Sequence, residues 1–440
     1  MNRKSYLTFD FIIILAVLCL CVISVCFVYS SGFNSEGVNT STEFIKQIIW
    51  AVTGLGLMAL VVYFDYKYLY DFAYYIYGIC ILMLIITLLL GNKVNGARSW
   101  LGFGGFGIQP SEFTKLGTII ALSAFCAKNR ENMRSLLVFL RAALIPVLPM
   151  LLILAQPDLG TSLVYIPIFL VILFMAGAKI RYLFFLVACG IGVTLFTIIP
   201  MWSGYVLKQE TLMVTIFSNQ ILILAILAAC IVIAILAAIG WFVFKKGSYY
   251  WICYSFIIIS CSLFVSVAAQ KILKAYQIMR LVVFLDPSVD PQGAGWNILQ
   301  SLTAIGSGGL TGKGIGRGET NHRKYLPQAI SMNDFIFCVW AEETGFVGSA
   351  ALLALFAVLL ACGCRAAFVS KDGRGRLLAL GVTTLVFAHV YVNIAMSIGL
   401  VPITGLPLPF ISSGRTFLVT VMCGLGLIQS VTIHREEQLA

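Results

Sequence analysis

Apolar runs of membrane-spanning length recur from one end of the chain to the other, and no other feature constrains the fold as strongly. About 20 consecutive apolar residues form a helix long enough to cross a bilayer. Of the 440 residues, 60% are hydrophobic and 11% are charged, against roughly a quarter charged in soluble domains. We expect membrane helices near residues 11–30, 46–64, 72–90, 113–127, 138–154, 160–176, 182–200, 220–244, 250–270, 347–369, 377–400 and 416–433. The sequence therefore predicts an all-α polytopic membrane protein with about twelve transmembrane helices.

The loops between these runs carry their basic residues in an alternating pattern. Every second loop is rich in Lys or Arg, namely "DYKYLYD", "KNRENMR", "AKIR", "FKKGS" and "RAAFVSKDGRGR", as is the tail "HREEQ". Because cytoplasmic loops of membrane proteins are enriched in Lys and Arg, we expect both termini in the cytoplasm. The same rule explains the net charge of +11, so no nucleic-acid partner is expected.

The remaining loops, assigned to the outer face, contain most of the Gly, Pro and unusual polar residues. The longest of them covers residues 271–346. Long connections in compact proteins are usually functional or disordered, and this one mixes apolar residues with glycines, which argues against disorder. We expect it to pack against the helices, partly as short or re-entrant helices.

An acid, Asp334, lies in this loop within "YLPQAISMNDFIFCVWAEE". One interpretation is an N-cap for the helical run "FIFCVWAEE", which the residues alone favour. The other is a carboxyl group at the outer membrane boundary, partly desolvated by Phe335, Phe337 and Trp340. Desolvation of that kind raises the pKa of a carboxyl group toward the range of a general base.

Two further outer segments place ionisable residues where helices begin. In "QPSEFTK", Ser111 is a candidate N-cap, and Glu112 and Lys115 are spaced to pair on one helix face. A structural ion pair and a substrate-facing Lys115 are both open. In "QPDLGT", Asp158 follows Pro157 and is expected to cap the next helix.

Three other features have both a structural and a functional interpretation. The segment Gly306–Gly318, "GSGGLTGKGIGRG", is either an anion-binding concavity with Lys313 or a flexible turn, and it lacks the P-loop pattern. Trp100 is either an interfacial anchor or, with Arg98, a sugar or headgroup contact. The His and Cys residues are not spaced as metal ligands, so no metal is assigned to them.

Together these motifs resemble the shape, elongation, division and sporulation (SEDS) family of membrane proteins. The resemblance covers nearly the whole chain and rests on "NGARSWLGFGGFGIQPSEFTK", "QPDLGTSL", "YQIMRLVVFLDPSVDPQGAGWNILQSLTAIGSGGLTGKGIG", "AEETGFVGS" and "GLVPITGLPLPFISSG". "GARSW" and "QPDLGT" are closer to the elongation members of the family. The resemblance implies one membrane domain over 1–440 with a ten-helix core, an inserted loop and helical pair at 201–270, and a large extracytoplasmic loop at 271–346.

The resemblance also implies an activity. Members polymerise lipid II into peptidoglycan glycan strands, here during cell elongation and cell-shape maintenance, by an inverting transfer that releases undecaprenyl pyrophosphate. The essential acid of the family corresponds to Asp334, the implied general base. The candidate substrate-binding residues are Trp100, Arg98, Glu112, Lys115, Asp158, Arg280, Lys313, Arg323 and Lys324.

The implied partners are a class B penicillin-binding transpeptidase and other membrane proteins of the elongation complex, in the bacterial plasma membrane. No cofactor is assigned, and assistance by a divalent cation is left open. The chain departs from the family motifs at Gln328, at two extra residues before Asp334, and at Ser413 and Arg415. Two alternatives are a flippase for the lipid-linked precursor, suggested by broken helices and intramembrane charges, and an inactive scaffold for the transpeptidase.

Overall fold

The computed structural model describes residues 9–30, 42–94, 97–102, 107–202, 219–272, 275–318 and 333–434. Within these ranges the chain forms a short hairpin of strands β1 (Asn92–Val94) and β2 (Ala97–Trp100) and sixteen α-helices. The helices are α1 (Phe11–Ser30), α2 (Glu43–Tyr63), α3 (Tyr66–Asp71), α4 (Ala73–Leu90), α5 (Pro110–Lys128), α6 (Leu136–Ala155), α7 (Leu159–Leu163), α8 (Tyr165–Met175), α9 (Ile180–Trp202), α10 (Gln220–Phe244), α11 (Gly247–Ile272), α12 (Ala275–Leu285), α13 (Ala294–Ser307), α14 (Ile336–Val369), α15 (Gly373–Ser397) and α16 (Arg415–Ile433).

Ten of the described helices are long and apolar enough to cross a membrane. The two other predicted spans are also helical, as α5 and as α7 with α8. Helix α5 begins with Glu112 and Lys115, which lower its mean hydropathy, and the run Leu159–Met175 is short. The predicted all-α polytopic membrane class is therefore confirmed, and the number of helices that cross the membrane stays a prediction.

Residues Met1–Ala178, Gln300–Leu400 and Thr404–Ala440 form a first compact unit. Its core contains α15 and α16, whose most apolar windows are 78% and 94% buried. Helix α16 packs along α2, and α15 packs against α5, α8 and α14. These two helices are shielded from lipid by their neighbours, so polar side chains on them can meet protein partners instead of hydrocarbon.

Residues Lys179–Leu299 and Val401–Ile403 form a second unit. Here α10 and α11 pack against each other, and α11 packs against α9. Small polar side chains join α9 to α11, with Thr197 Oγ1 3.0 Å from Ser266 Oγ, as is common where membrane helices approach closely. The predicted helical pair near 220–270 corresponds to α10 and α11, and its interpretation as an insertion stays a prediction.

Helix α14 is broken inside its length at Gly345, where φ is +67° and ψ is −163°. The break frees backbone groups that the segment after α13 takes up. The N–H groups of Phe346 and Val347 donate to the carbonyls of Gly309 and Leu310 at 2.9 and 3.1 Å. A broken helix at membrane depth is tolerated only where its free backbone groups are satisfied inside the protein, and this segment supplies those partners.

The long loop predicted at 271–346 is largely helical where it is described, as α12, α13 and the start of α14. The helix predicted near 347–369 begins at Ile336. The span predicted at 347–369 leaves out the first turns because "AEETG" contains two acids and a glycine, a composition untypical of a membrane helix. The helical run expected over "FIFCVWAEE" does begin one residue before Ile336. The placement of the loop on the outer face stays a prediction.

We predict that Gly345→Ala destabilises the protein by about 1–3 kcal/mol or more, because the backbone conformation at this position is accessible almost only to glycine. A Cβ there would also lie 2.3 Å from the Gly312 nitrogen. The measurement is the thermal unfolding midpoint of the purified protein in detergent.

Gly306→Ala is the matched control, because Gly306 lies in α13 and a Cβ there meets no atom within 4 Å. Alanine is favoured over glycine inside a helix, so the midpoint of this variant is expected to stay or rise slightly. Equal losses in the two variants would contradict the importance of the break at Gly345.

Candidate active site

Asp334 lies two residues before the first helical residue of α14. The helix begins at Ile336 and its N-cap position is Phe335, so the interpretation of Asp334 as the N-cap is wrong. Asp334 is half-buried, and Phe335 and Phe337 beside it are 1% and 5% exposed. The acid thus adjoins buried aromatic residues at a helix entrance, and its role as a general base stays a prediction.

The loop between α15 and α16 holds the Asp334 segment in place. The Nδ2 group of Asn393, a fully buried residue of α15, donates to the Asp334 carbonyl at 2.9 Å and to the Leu406 carbonyl at 2.7 Å. Ser412 Oγ donates to the Asn333 carbonyl at 2.6 Å, and Ser413 Oγ donates to the Asn333 side chain. Ser413, where the chain departs from the family motif, therefore contacts the residue before Asp334 directly.

Residues 404–407, which we call the TGLP segment, lie beside the carboxylate itself. Gly405 has a φ of +75°, and a Cβ there would lie 3.5 Å from Asp334 Oδ2. A Cβ at Gly160, just after the "QPD" break, would lie 2.2 Å from the Thr404 carbonyl. The close approach of the two backbones requires glycine at 160, and the positive φ favours glycine at 405.

Asp158 caps α7, as the sequence predicts, and it has a further contact. Its carboxylate accepts from the Thr161 N–H at 3.1 Å and from Thr161 Oγ1 at 2.8 Å. The Gln109 side chain also donates to it at 3.3 Å. Gln109 itself holds the N-cap position of α5, where the sequence analysis placed Ser111, so the cap prediction for Ser111 is wrong. Pro110 fills the first helical position and explains the shift.

A buried chain of polar groups links α5 to the TGLP segment. Lys115 Nζ lies 2.8 Å from Glu112 Oε2 and 3.0 Å from His389 Nε2, and His389 Nδ1 lies 3.2 Å from the Pro407 carbonyl. Lys115 and His389 are 0% exposed and Glu112 is 2% exposed. The predicted Glu112–Lys115 pair is confirmed, and the burial of Lys115 favours the structural interpretation over a substrate-facing one.

The Gly306–Gly318 segment contacts a carboxylate of the protein itself, that of Glu343. The Glu343 carboxylate accepts from the Gly316 N–H at 3.1 Å and from Ser30 Oγ at 2.9 Å. Lys313 Nζ donates to Glu342 Oε1 at 2.9 Å. The concavity predicted from the glycines is thus occupied by the start of α14, and Lys313 already has a carboxylate partner.

The remaining candidate residues lie on other elements. Arg98 and Trp100 are on β2, with Arg98 exposed and Trp100 half-buried against the backbone near Gly107. Arg280, on α12 in the second unit, donates to the Ile403 carbonyl at 3.5 Å. Arg323 and Lys324 lie outside the described residues. Their roles in substrate binding stay predictions.

Sequence reasoning missed the residues that hold the site together. Asn393, His389, Gln109 and Ser412 connect the segments described above, yet none was assigned a role. A buried amide or imidazole inside an apolar run is the available signal, because polar groups at membrane depth are expensive unless they have a partner. The partners themselves come from distant parts of the chain and are not visible in the local sequence.

The fold and these polar junctions define a polytopic membrane protein in which one half-buried acid, Asp334, lies against the TGLP segment. A family model described as "Cell cycle protein", which groups FtsW, RodA and SpoVE, matches residues 10–221 and 206–437. The chain therefore belongs to the family of FtsW, RodA and SpoVE, as the sequence motifs predict.

Individual relatives agree with this membership over their full lengths. The peptidoglycan glycosyltransferase RodA of Treponema pallidum (strain Nichols) is 41% identical over 435 residues, covering 99% of this chain and 100% of the relative. The peptidoglycan glycosyltransferase MrdB of Escherichia coli (strain K12) is 30% identical, covering 99% of this chain and 97% of the relative.

Two solved structures share the fold. One, described as the structural coordination of polymerization and crosslinking by a peptidoglycan synthase complex, has a TM-score of 0.66 at 26% identity and covers 98% of this chain and 99% of its own. The crystal structure of Thermus thermophilus RodA has a TM-score of 0.60 at 23% identity, covering 97% and 98%.

We predict that Lys115→Met costs about 3–5 kcal/mol of stability, because it leaves the Glu112 carboxylate buried without its cation. The double variant Glu112→Gln/Lys115→Met is expected to recover part of this loss. The measurement is the thermal unfolding midpoint of the purified proteins.

Lys46→Met is the matched control, because Lys46 also pairs with a Glu three residues away, at 2.7 Å, but its side chain is 43% exposed. Exposed pairs contribute about 0–1 kcal/mol. A loss at Lys115 no larger than that at Lys46 would argue against a structural role for the buried pair.

Proposed function

We propose that this protein polymerises lipid II into peptidoglycan glycan strands and that Asp334 is the general base of the transfer. The Asp334 carboxylate takes the proton from the 4-hydroxyl of the acceptor sugar as that oxygen attacks the anomeric carbon of the donor. A new glycosidic bond forms, the bond from the anomeric carbon to the pyrophosphate breaks, and undecaprenyl pyrophosphate leaves. The anomeric configuration is inverted because attack and departure occur on opposite faces.

The observation that carries the proposal is the junction of the Asp334 segment with the TGLP segment. Asn393 fixes the backbone carbonyl of Asp334, Ser412 fixes that of Asn333, and Gly405 leaves space beside the carboxylate. A catalytic base must be held within about an ångström of its working position. A half-buried acid with a fixed backbone and a side chain next to glycine meets that requirement.

Cationic groups are needed where the leaving pyrophosphate develops charge. Lys115 and Lys313 are already paired with Glu112 and Glu342, so we assign them a supporting role. The exposed Arg98 is a better candidate for the pyrophosphate, with Arg280, Arg323 and Lys324 as further candidates. Trp100, on the same strand as Arg98, is a candidate for a sugar or headgroup contact.

The proposed setting is the bacterial plasma membrane during cell elongation. Both termini lie in the cytoplasm by the distribution of Lys and Arg, and Asp334 then lies on the outer face. The proposed partner is a class B penicillin-binding transpeptidase that crosslinks the new strand. The similarity to a chain of a peptidoglycan synthase complex supports this partner.

We predict that Asp334→Asn lowers the rate of glycan polymerisation by about 10²- to 10⁴-fold, the usual contribution of a general base. The amide keeps the size of the side chain and cannot accept the proton. The measurement is glycan polymer formed from lipid II by the purified protein together with its transpeptidase partner.

Asp286→Asn is the control, because Asp286 is a half-buried acid of the same predicted loop, and its carboxylate accepts from the N–H and hydroxyl of Ser288. Full activity in Asp334→Asn would overturn the assignment of the base. Movement of lipid II across vesicles by a wild type that makes no polymer would support the flippase alternative instead.

We predict that Asn393→Leu lowers kcat about 10- to 100-fold with little change in KM, because the Asp334 backbone loses its anchor while the substrate contacts remain. Asn393 is a positioning residue, since its amide bonds only backbone carbonyls of the Asp334 and TGLP segments in the contacts described. Initial rates of polymerisation at several lipid II concentrations separate the two parameters.

Ser430→Ala is the matched control for stability. The Ser430 hydroxyl also bridges two backbone groups, donating to the Phe64 carbonyl at 2.7 Å and accepting from the Tyr66 N–H at 3.1 Å, but it lies in the last turns of α16. The Ser430→Ala variant should be less stable than the wild type and have an unchanged kcat. An equal fall of kcat in both variants would mean that Asn393 acts only through stability.

A further inference from the structure

A cavity of about 490 Å³ opens where helices of the first unit end. Its wall is formed by α3, the start of α4, the last turn of α5, the end of α8 and the start of α15. This is the face that the loop charges assign to the cytoplasm, on the side of the protein where the proposed transfer does not occur. The volume lies within the range of small-molecule sites, about 300–1,000 Å³.

Positive charge predominates along this wall. Arg374 lies 3.4 Å from the Asp372 carboxylate and is balanced by it. Lys128, Arg130 and Arg376 remain, against the exposed Asp71. The ion pairs of the described residues include no acidic partner for these three cations. The cavity therefore has an excess of positive charge that would attract an anion.

Arginine donors are directed to the start of α15. The Arg376 Nη2 group donates to the Ser370 carbonyl at 3.2 Å, while its Nε group is buried and has no acceptor among the described residues. A Cβ at Gly373 would lie 3.9 Å from Arg130 Nη1, so a second guanidinium lies at the first residue of the helix. The N-terminus of α15 itself is capped by the Asp372 carboxylate, which accepts from the Arg374 N–H at 3.1 Å, so the two guanidinium groups are the donors that suit a phosphate group.

The position of the cavity favours a lipid over a soluble ligand. Helix ends of a membrane bundle lie at the depth of the lipid headgroups, and aromatic side chains mark that depth. Tyr70 and Tyr74 line the cavity, and Phe72 and Tyr75 next to them are 59% and 72% exposed. Met175 and Leu377 add apolar surface to the wall.

We propose that this cavity binds the phosphate-bearing headgroup of an anionic phospholipid in the leaflet at that face. Lys128 and Arg130 stand at its exposed rim and attract the headgroup. Arg376 lies deeper and meets the phosphate. Basic pockets between membrane helices are a general means of binding such headgroups.

The test is a titration of the purified full-length protein in detergent with phosphatidylglycerol, phosphatidylcholine or inorganic phosphate, followed by the thermal unfolding midpoint. Phosphatidylglycerol is expected to raise the midpoint more than phosphatidylcholine does. The double variant Lys128→Gln/Arg130→Gln should bind it about 30-fold more weakly, since each cation near an anionic headgroup contributes roughly fivefold. Both residues are exposed, so folding should not depend on them.

The control is Lys246→Gln/Lys371→Gln, which removes two exposed positive charges from the same predicted face outside the cavity. It should bind phosphatidylglycerol as the wild type does. An equal loss in the control would show diffuse attraction and overturn the site. A wild type that does not distinguish the two lipids, or that is stabilised equally by inorganic phosphate, would overturn the lipid assignment.

Discussion

Backbone groups that are freed where a membrane helix breaks must find partners inside the protein, and this constraint shapes the whole of the first unit. Hydrocarbon offers no hydrogen bonds, so each break needs a second segment to repair it. At Gly345 the glycine-rich segment after α13 supplies those bonds. The glycines there permit backbone contact with α14. The acids of α14 then fill the space that the glycines leave.

The same constraint explains why the candidate active site lies where it does. The TGLP segment belongs to the irregular loop before α16. It is in contact with two other irregular segments, the break after α6 and the entrance to α14, directly or through residues bonded to it. Thr404 packs against Gly160, and Gly405 lies beside Asp334. The Pro407 carbonyl lies 3.2 Å from His389 Nδ1. One short stretch of backbone therefore connects the acid, the Asp158 cap and the buried Lys115 pair. Polar residues that appear unrelated in the sequence serve a single junction.

Much of the fold could be predicted from the sequence, because membrane helices carry a strong local signal. All twelve predicted spans coincide with helices, and the Asp158 cap and the Glu112–Lys115 pair follow from spacing of a few residues. The start of α14 was expected as the helical run "FIFCVWAEE", but its continuity with the span at 347–369 was not, because the glycine break and the two acids weaken the apolar pattern there. The contacts of Asn393 and His389 could not be predicted either, since they join residues far apart in the chain. The prediction of an N-cap at Ser111 was wrong because Pro110 occupies the first helical position of α5.

The departure from the family motif at Arg415 has a structural counterpart. Arg415 Nη2 lies 2.9 Å from Glu43 Oε2 at the start of α2, and Glu43 also pairs with Lys46. The positive charge of Arg415 at the first residue of α16 is thus balanced by Glu43 on the neighbouring helix. The residue that departs from the family motif is one member of an ion pair.

The two bonds of the Asn393 amide have a mechanical consequence. Because one side chain holds the carbonyls of both Asp334 and Leu406, neither backbone segment can shift alone without breaking a buried hydrogen bond. A molecule that displaced the TGLP segment would therefore also displace the backbone at Asp334. The backbone positions of the TGLP segment and of the acid are thus coupled through one buried amide.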